Sequence, residues 1–90
     1  MERSVEVFKA LSNSVRLEIL SLLAERPLCV NALVARLNVS QPAVSQHLRI
    51  LEHAGLVKGS KVGYFVHYSL VPEGIEECSS FLEKLRGEVK

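Results

Sequence analysis

The chain has no tryptophan, only two tyrosines and only three phenylalanines. Any core must therefore be filled by aliphatic side chains. Its two cysteines, Cys29 and Cys78, stand 49 positions apart, and two such residues make no disulfide framework. There is no CxxC, no glycine-rich phosphate loop, no nucleophile elbow and no grouping of metal ligands. Those absences argue against a thiol oxidoreductase or another small enzyme, and no cofactor is expected. No apolar run approaches the roughly 20 residues that a membrane span needs. The N-terminal MERSVEVFKAL has acidic residues early and no signal-peptide core. The expectation is a soluble cytoplasmic protein with no membrane partner.

What is present fits a single domain over residues 1–90, with an apolar share of 48%. The net charge of +1 conceals a pattern. Residues 26–72 carry Arg26, Arg36, Arg49, Lys58 and Lys61 against Glu52 alone, and all three histidines, His47, His53 and His67, lie in the same stretch. The segments on either side are net acidic. A basic centre between acidic ends suits a chain that turns one face to a polyanion.

Periodicity divides the chain into elements. Val5, Phe8 and Leu11 recur at helical spacing over residues 3–11. Asn13 is a candidate cap for a second helix, SVRLEILSLLAE, which stops before Pro27. A third helix spans about 30–37, closed by Asn38, a residue that tolerates the left-handed conformation. Ser40 can cap a fourth, QPAVSQHLRILEHA, with Pro42 in its first turn and Gly55 after its end. The period then becomes two: LVKGSKV and GYFVHYSL read as strands joined at Gly63. From Pro72 a last helix carries Ile75, Cys78, Phe81, Leu82, Leu85 and Val89 on one stripe. The expected fold is mainly α with a two-stranded β wing, a winged helix-turn-helix of order α-α-α-α-β-β-α.

The fourth helix is the candidate reading helix. At about 100° per residue, Val44, Leu48 and Leu51 fall together and should be buried. Pro42, Ser45, Gln46, Arg49 and His53 fall opposite them. That arc is short or hydrogen-bonding, as entry into a DNA groove requires. Arg49 suits guanine or a phosphate, and Gln46 suits adenine. Ser40, Gln41 and the helix N-terminus can hold a phosphate oxygen. Lys58 and Lys61 are expected near the wing tip, along the DNA backbone. A solvated amphipathic helix would show a similar polar face; the combination of cap, short turn, small-residue face and basic hairpin favours DNA.

The stretches LSNSVRLEILSLL, LNVSQPAVSQHLRILEHAGLV and GYFVHYSL resemble the ArsR/SmtB family of winged-helix repressors, and the likeness spans nearly the whole chain. The resemblance implies a homodimer built through the first and last helices, residues 1–12 and 72–90. Val5, Phe8, Ile75, Cys78, Leu82 and Leu85 would form its interface. It also implies binding to a double-stranded operator of inverted symmetry, repression, and release by an inducer, often a metal or metalloid. Metal-sensing members resemble PLCVNAL but carry a cysteine pair where this chain has Cys29 and Asn31. Zinc-binding members place histidines on the last helix, where this chain has none; Pro72 and Gly74 stand at the first ligand positions, and Glu88 alone matches the last. Both usual sites look dismantled. Members that sense sulfur or oxidants use a cysteine pair that involves the middle of the second helix, where this chain has Ser21. Cys29 is thus expected to be a helix-entrance residue and Cys78 a small hydrophobe. A thiol- or metalloid-responsive repressor using Cys29 or Cys78 is the alternative, and a winged-helix protein-interaction module is a second one.

Overall fold

The computed structural model describes residues 2–87, the side chain of Glu2 excepted. Glu88 and Val89, named above, lie outside the described residues. Five helices and three strands follow in the order α1 (Glu2–Leu11), α2 (Ser14–Leu23), β1 (Leu28–Cys29), α3 (Val30–Leu37), α4 (Gln41–His53), β2 (Val57–Val62), β3 (Phe65–Leu70) and α5 (Pro72–Arg86).

Helix ends are set by local chemistry. The Asn13 side chain accepts a bond from the Arg16 amide at 3.1 Å, satisfying an orphan donor at the start of α2. Ser40 Oγ does the same for the Ala43 amide at 3.3 Å, with Pro42 in the first turn of α4. Asn38 closes α3 at φ 55°, its amide donating to the Val34 carbonyl at 3.1 Å.

The end of α4 is a Schellman motif. The Leu56 amide donates to the Leu51 carbonyl and the Gly55 amide to the Glu52 carbonyl, both at 3.0 Å. Gly55 adopts φ +79°, which a side chain would strain. Leu51 and Leu56, the apolar pair of this motif, are both buried. The Leu56 carbonyl then accepts the Val71 amide at 2.9 Å, so the start of α5 is tied to the same point.

The core is aliphatic, as the absence of tryptophan demands. Ile19, Leu23, Leu33, Val44, Leu48, Leu51, Leu56 and Val57 are buried between α2, α3, α4 and the root of β2. The sheet differs from the expected two strands. β1 joins it as a third strand, in the order β1-β3-β2, with Leu28 opposite Tyr68 and Cys29 opposite His67. Two residues carry too little alternation to read as a strand. The wing proper pairs Val57 with Leu70 through Val62 with Phe65. Gly63, at φ +64°, makes the two-residue turn together with Tyr64.

Gly74 is buried in the first turn of α5. A Cβ there would collide with the Gly55 carbonyl oxygen and lie 3.0 Å from its carbon. Its absence of side chain is a packing requirement of the α4–α5 junction. Gly74→Ala must push α5 away from α4 or distort the turn, and we expect it to cost about 1–3 kcal/mol. Urea unfolding at constant m-value checks this; an unchanged midpoint would show that the junction yields freely.

Candidate nucleic-acid interface

α4 presents two unlike faces. Val44, Leu48 and Leu51 are at most 1% exposed, whereas Gln41, Pro42, Gln46, Arg49 and His53 are exposed and Ser45 is half-buried. The polar arc is internally bonded. Gln41 Nε2 donates to Ser45 Oγ at 2.8 Å, and Arg49 Nη1 donates to Gln46 Oε1 at 2.9 Å. With its amide oxygen held, Gln46 still offers both N–H groups, and Arg49 keeps four of its five donors. The helix therefore presents mainly donors outward, matched to phosphate oxygens and to the acceptor atoms of purine edges. Ser40 Oγ caps α4 as an acceptor, which leaves its hydroxyl proton free to donate.

The wing lysines do not act as a pair. Lys61 is opposite Val66, one pair from the turn, and belongs at the tip as expected. Lys58 is opposite Ser69, near the root, which corrects its expected position at the tip. An odd separation along a strand also turns the two side chains to opposite faces of the ribbon. The tip itself is more apolar than foreseen: Val62, Tyr64, Phe65 and Val66 are all exposed.

Arg16 and His47 were not foreseen as parts of the site. Arg16 Nε donates to the Ala10 carbonyl at 2.6 Å and Nη2 to the Lys9 carbonyl at 3.3 Å, closing the C-terminus of α1. Its Nη1 lies 3.3 Å from His47 Nδ1. Arginine has no acceptor, so Nδ1 must accept and the ring proton sits on Nε2. Burial, and secondarily the Arg16 charge, lower the His47 pKa from its ordinary value. One side chain thus fixes α1, α2 and α4 together. Only the unusual placement of an arginine in the first turn of a leucine-rich helix hinted at it.

The interface residues on α1 and α5 separate into two groups. Val5, Ile75, Leu82 and Leu85 are between 39% and 68% exposed. Phe8 is half-buried and meets Phe81 edge-on, with centroids 5.8 Å apart at 62°. Cys78 is 7% exposed and already part of the protomer core.

Residues 13–58 match the family described as bacterial regulatory protein, arsR family. The HTH-type transcriptional regulator MJ1325 of Methanocaldococcus jannaschii is 39% identical, over 93% of this chain and 96% of the relative. The arsenical resistance operon repressor of Escherichia coli is 44% identical, over 76% of this chain and 59% of the repressor. Among solved structures, the homodimeric winged helix-turn-helix DNA-binding domain of Mb0332 from Mycobacterium bovis superposes with a TM-score of 0.79 at 28% identity, over 97% of this chain and 81% of the fragment. The chain belongs to the ArsR/SmtB family of winged helix-turn-helix transcriptional regulators. It is a DNA-binding regulator.

Within this ArsR/SmtB chain, Cys29 holds the N-cap position of α3 at φ −83°, yet its side chain makes no capping bond. It is half-buried, beside Val30, Asn31 and the wing residues Tyr64, Phe65 and Val66. Burial raises the pKa of the Cys78 thiol, which disfavours its thiolate. Among the described residues, no three His, Cys, Asp or Glu side chains are grouped to hold a metal ion. No helix among them is long and apolar enough to cross a membrane.

The His47 contact has a pH consequence. Its folded pKa lies below 6.5, the ordinary value that the unfolded chain retains. The neutral-ring contribution to stability is therefore full above that pH and is lost as pH falls through the folded pKa. Urea midpoints at pH 7.5 and 5.5 should drop more steeply with acid in the wild type than in His47→Asn. Equal slopes would show that the ring is not held neutral by the fold.

Proposed function

We propose that this chain is a cytoplasmic homodimeric repressor that reads an operator of inverted symmetry through two copies of α4 and the wing. The observation that carries the DNA reading is the exposed donor arc of α4, with Gln46 and Arg49 directly opposite the buried stripe. Ser40, Gln41, Pro42 and Ser45 line the phosphate side of the same helix. Lys61 is the wing residue that reaches the backbone, and Lys58 contributes from the wing root. The name of the Escherichia coli relative supports repression as the sign of the effect. The inducer does not use the usual metal sites, since Asn31 replaces the second thiolate and the last helix has no histidine.

Two quantities support the dimer. A compact monomer of 10.0 kDa exposes about 5,200 Å2, whereas this chain exposes 6054 Å2. Its radius of gyration is 13.9 Å, against about 12 Å for a compact domain of this length. Part of the excess is the apolar strip of Val5, Ile75, Leu82 and Leu85 along α1 and α5, and the Mb0332 domain is homodimeric. In this reading residues 1–12 and 72–90 pair two copies, with Phe8 and Cys78 backing the strip from inside each protomer. The two-fold axis then dictates an inverted repeat.

Titrations with the operator should show Gln46→Ala and Arg49→Ala each losing about 1–3 kcal/mol together with base preference. Lys61→Ala should weaken specific and random DNA alike and reduce the salt slope by about one unit. Unchanged affinity and preference in Gln46→Ala would remove α4 as the reader. For the dimer, Leu82→Glu places a charge in an apolar seam, and sedimentation at micromolar concentration should show dissociation to monomer. A wild-type monomer at that concentration would defeat the pairing.

A further inference from the structure

Between α1 and the outer flank of α4 lies an open cleft of about 410 Å3, within the range of roughly 300–1,000 Å3 typical of small-molecule sites. Ala10, Ile50 and Ala54 give it an apolar floor. Lys9, Arg16, Arg49 and His53 stand around that floor, and Glu6 is the only acid among the lining residues. We propose that this cleft binds a small organic anion with an apolar body, and that its occupation lowers operator affinity. The second half of this inference rests on the reading of α4 given above.

The chemistry follows from the walls. A carboxylate or phosphate group meets Arg49, which among the described residues donates to the neutral Gln46 oxygen at 2.9 Å. A charged acceptor forms the stronger bond with a guanidinium. Arg16 is held by the Ala10 and Lys9 carbonyls and by His47, so it supplies fixed positive potential rather than a mobile arm. Lys9 is exposed and free to swing across the opening. Glu6 is 3.9 Å from His53 Nε2, which offsets its charge when that ring is protonated. An apolar body of one ring covers Ala10, Ile50 and Ala54. A bare inorganic ion leaves that floor wet and gains less.

The cleft floor faces away from the proposed dimer strip: at about 100° per residue along α1, Glu6 and Ala10 lie more than a quarter-turn from the arc of Val5 and Phe8, and Lys9 stands on the rim between them, about 40° from Val5. Coupling to DNA is direct, because Gln46 and Arg49 line the cleft and also belong to the reading arc. An anion that draws the Arg49 guanidinium inward takes it off the base edge and frees the Gln46 oxygen that it held.

The test is a titration of the isotope-labelled full chain with benzoate and phenyl phosphate, followed by amide NMR. Benzyl alcohol and inorganic phosphate at matched ionic strength are the controls. Saturable shifts are expected at Lys9, Ala10, Ile50 and Ala54 with at least one aryl anion, and weaker binding is expected with both controls. Lys9→Gln should weaken that binding by about twofold to fivefold, the range of an exposed charge pair, and Lys9→Arg should restore it. Neither should alter operator affinity without the probe. Saturating aryl anion should raise the operator Kd by about threefold or more over chloride at equal ionic strength, the effect of about 0.7 kcal/mol of coupling. Absence of saturable shifts with both aryl anions overturns the site. Equal binding of inorganic phosphate overturns the ligand class. Binding without a change in operator Kd overturns the coupling. If Arg49→Ala leaves operator affinity intact, the reading face falls, while the amide shifts still judge the cleft on their own.

Discussion

The arrangement of this molecule depends on one chain reversal, at Gly55. Three neighbouring backbone groups there serve two different elements. The Gly55 and Leu56 amides close α4, and the Leu56 carbonyl receives the Val71 amide at the threshold of α5. The Gly55 carbonyl oxygen occupies the space where any residue but glycine at position 74 would carry its Cβ. Arg3 lies over the same glycine and reaches Glu77 at 3.7 Å, so α1 is drawn to the same point. The reading helix, the wing and the last helix are therefore fixed at a single corner. Left-handed backbone at Gly55 and close approach at Gly74 are the two conditions for it. A shift of α5 is necessarily a shift against the end of α4.

Much of this was legible in the sequence because it rests on local rules. Asn13, Asn38, Ser40, Pro42, Gly55 and Gly63 each do what their chemistry forecasts at a helix end or turn. The stripe of Val44, Leu48 and Leu51 is buried as the wheel requires. What escaped is what depends on distant partners. β1 is two residues long and exists only because β3 offers its edge. The Arg16 bonds to Lys9, Ala10 and His47 join three helices that no short window contains. Gly74 read as a lost ligand position, whereas it is a contact surface for Gly55. Lys58 lies four residues before the last pair of the ribbon, Val62 with Phe65, and period two puts it on the other face from Lys61, which composition alone does not reveal.

The cysteine that opens α3 illustrates how a position can keep its geometry and lose its chemistry. Cys29 ends β1, opposite His67, and also begins α3. Its backbone is committed to the sheet on one side and the helix on the other, so the side chain is confined to the groove beneath the wing. A second thiolate two residues later would supply the other half of a soft-metal pair; Asn31 is exposed and offers only a neutral amide. Cys78 is sunk in the protomer core, where desolvation disfavours the thiolate needed for metal binding or oxidation. Cys29 thus lacks the second thiolate and Cys78 lies in the core, so neither matches the cysteine pair of the metal-sensing relatives.

α1 is the element that joins the apolar strip, the cleft and the reading helix. One of its faces holds Val5 and Phe8 against the α5 side, with Phe8 locked to the Phe81 ring. Its other face forms a wall of the cleft beside Gln46 and Arg49. Its C-terminus is pinned through Arg16 to His47 on the reading helix. A rigid helix with these three attachments cannot move at one without straining the others, because packed interiors do not deform continuously. In the proposed dimer, the pairing of α1 and α5, the proposed cleft and the pose of α4 would thus be linked through the ten residues of α1.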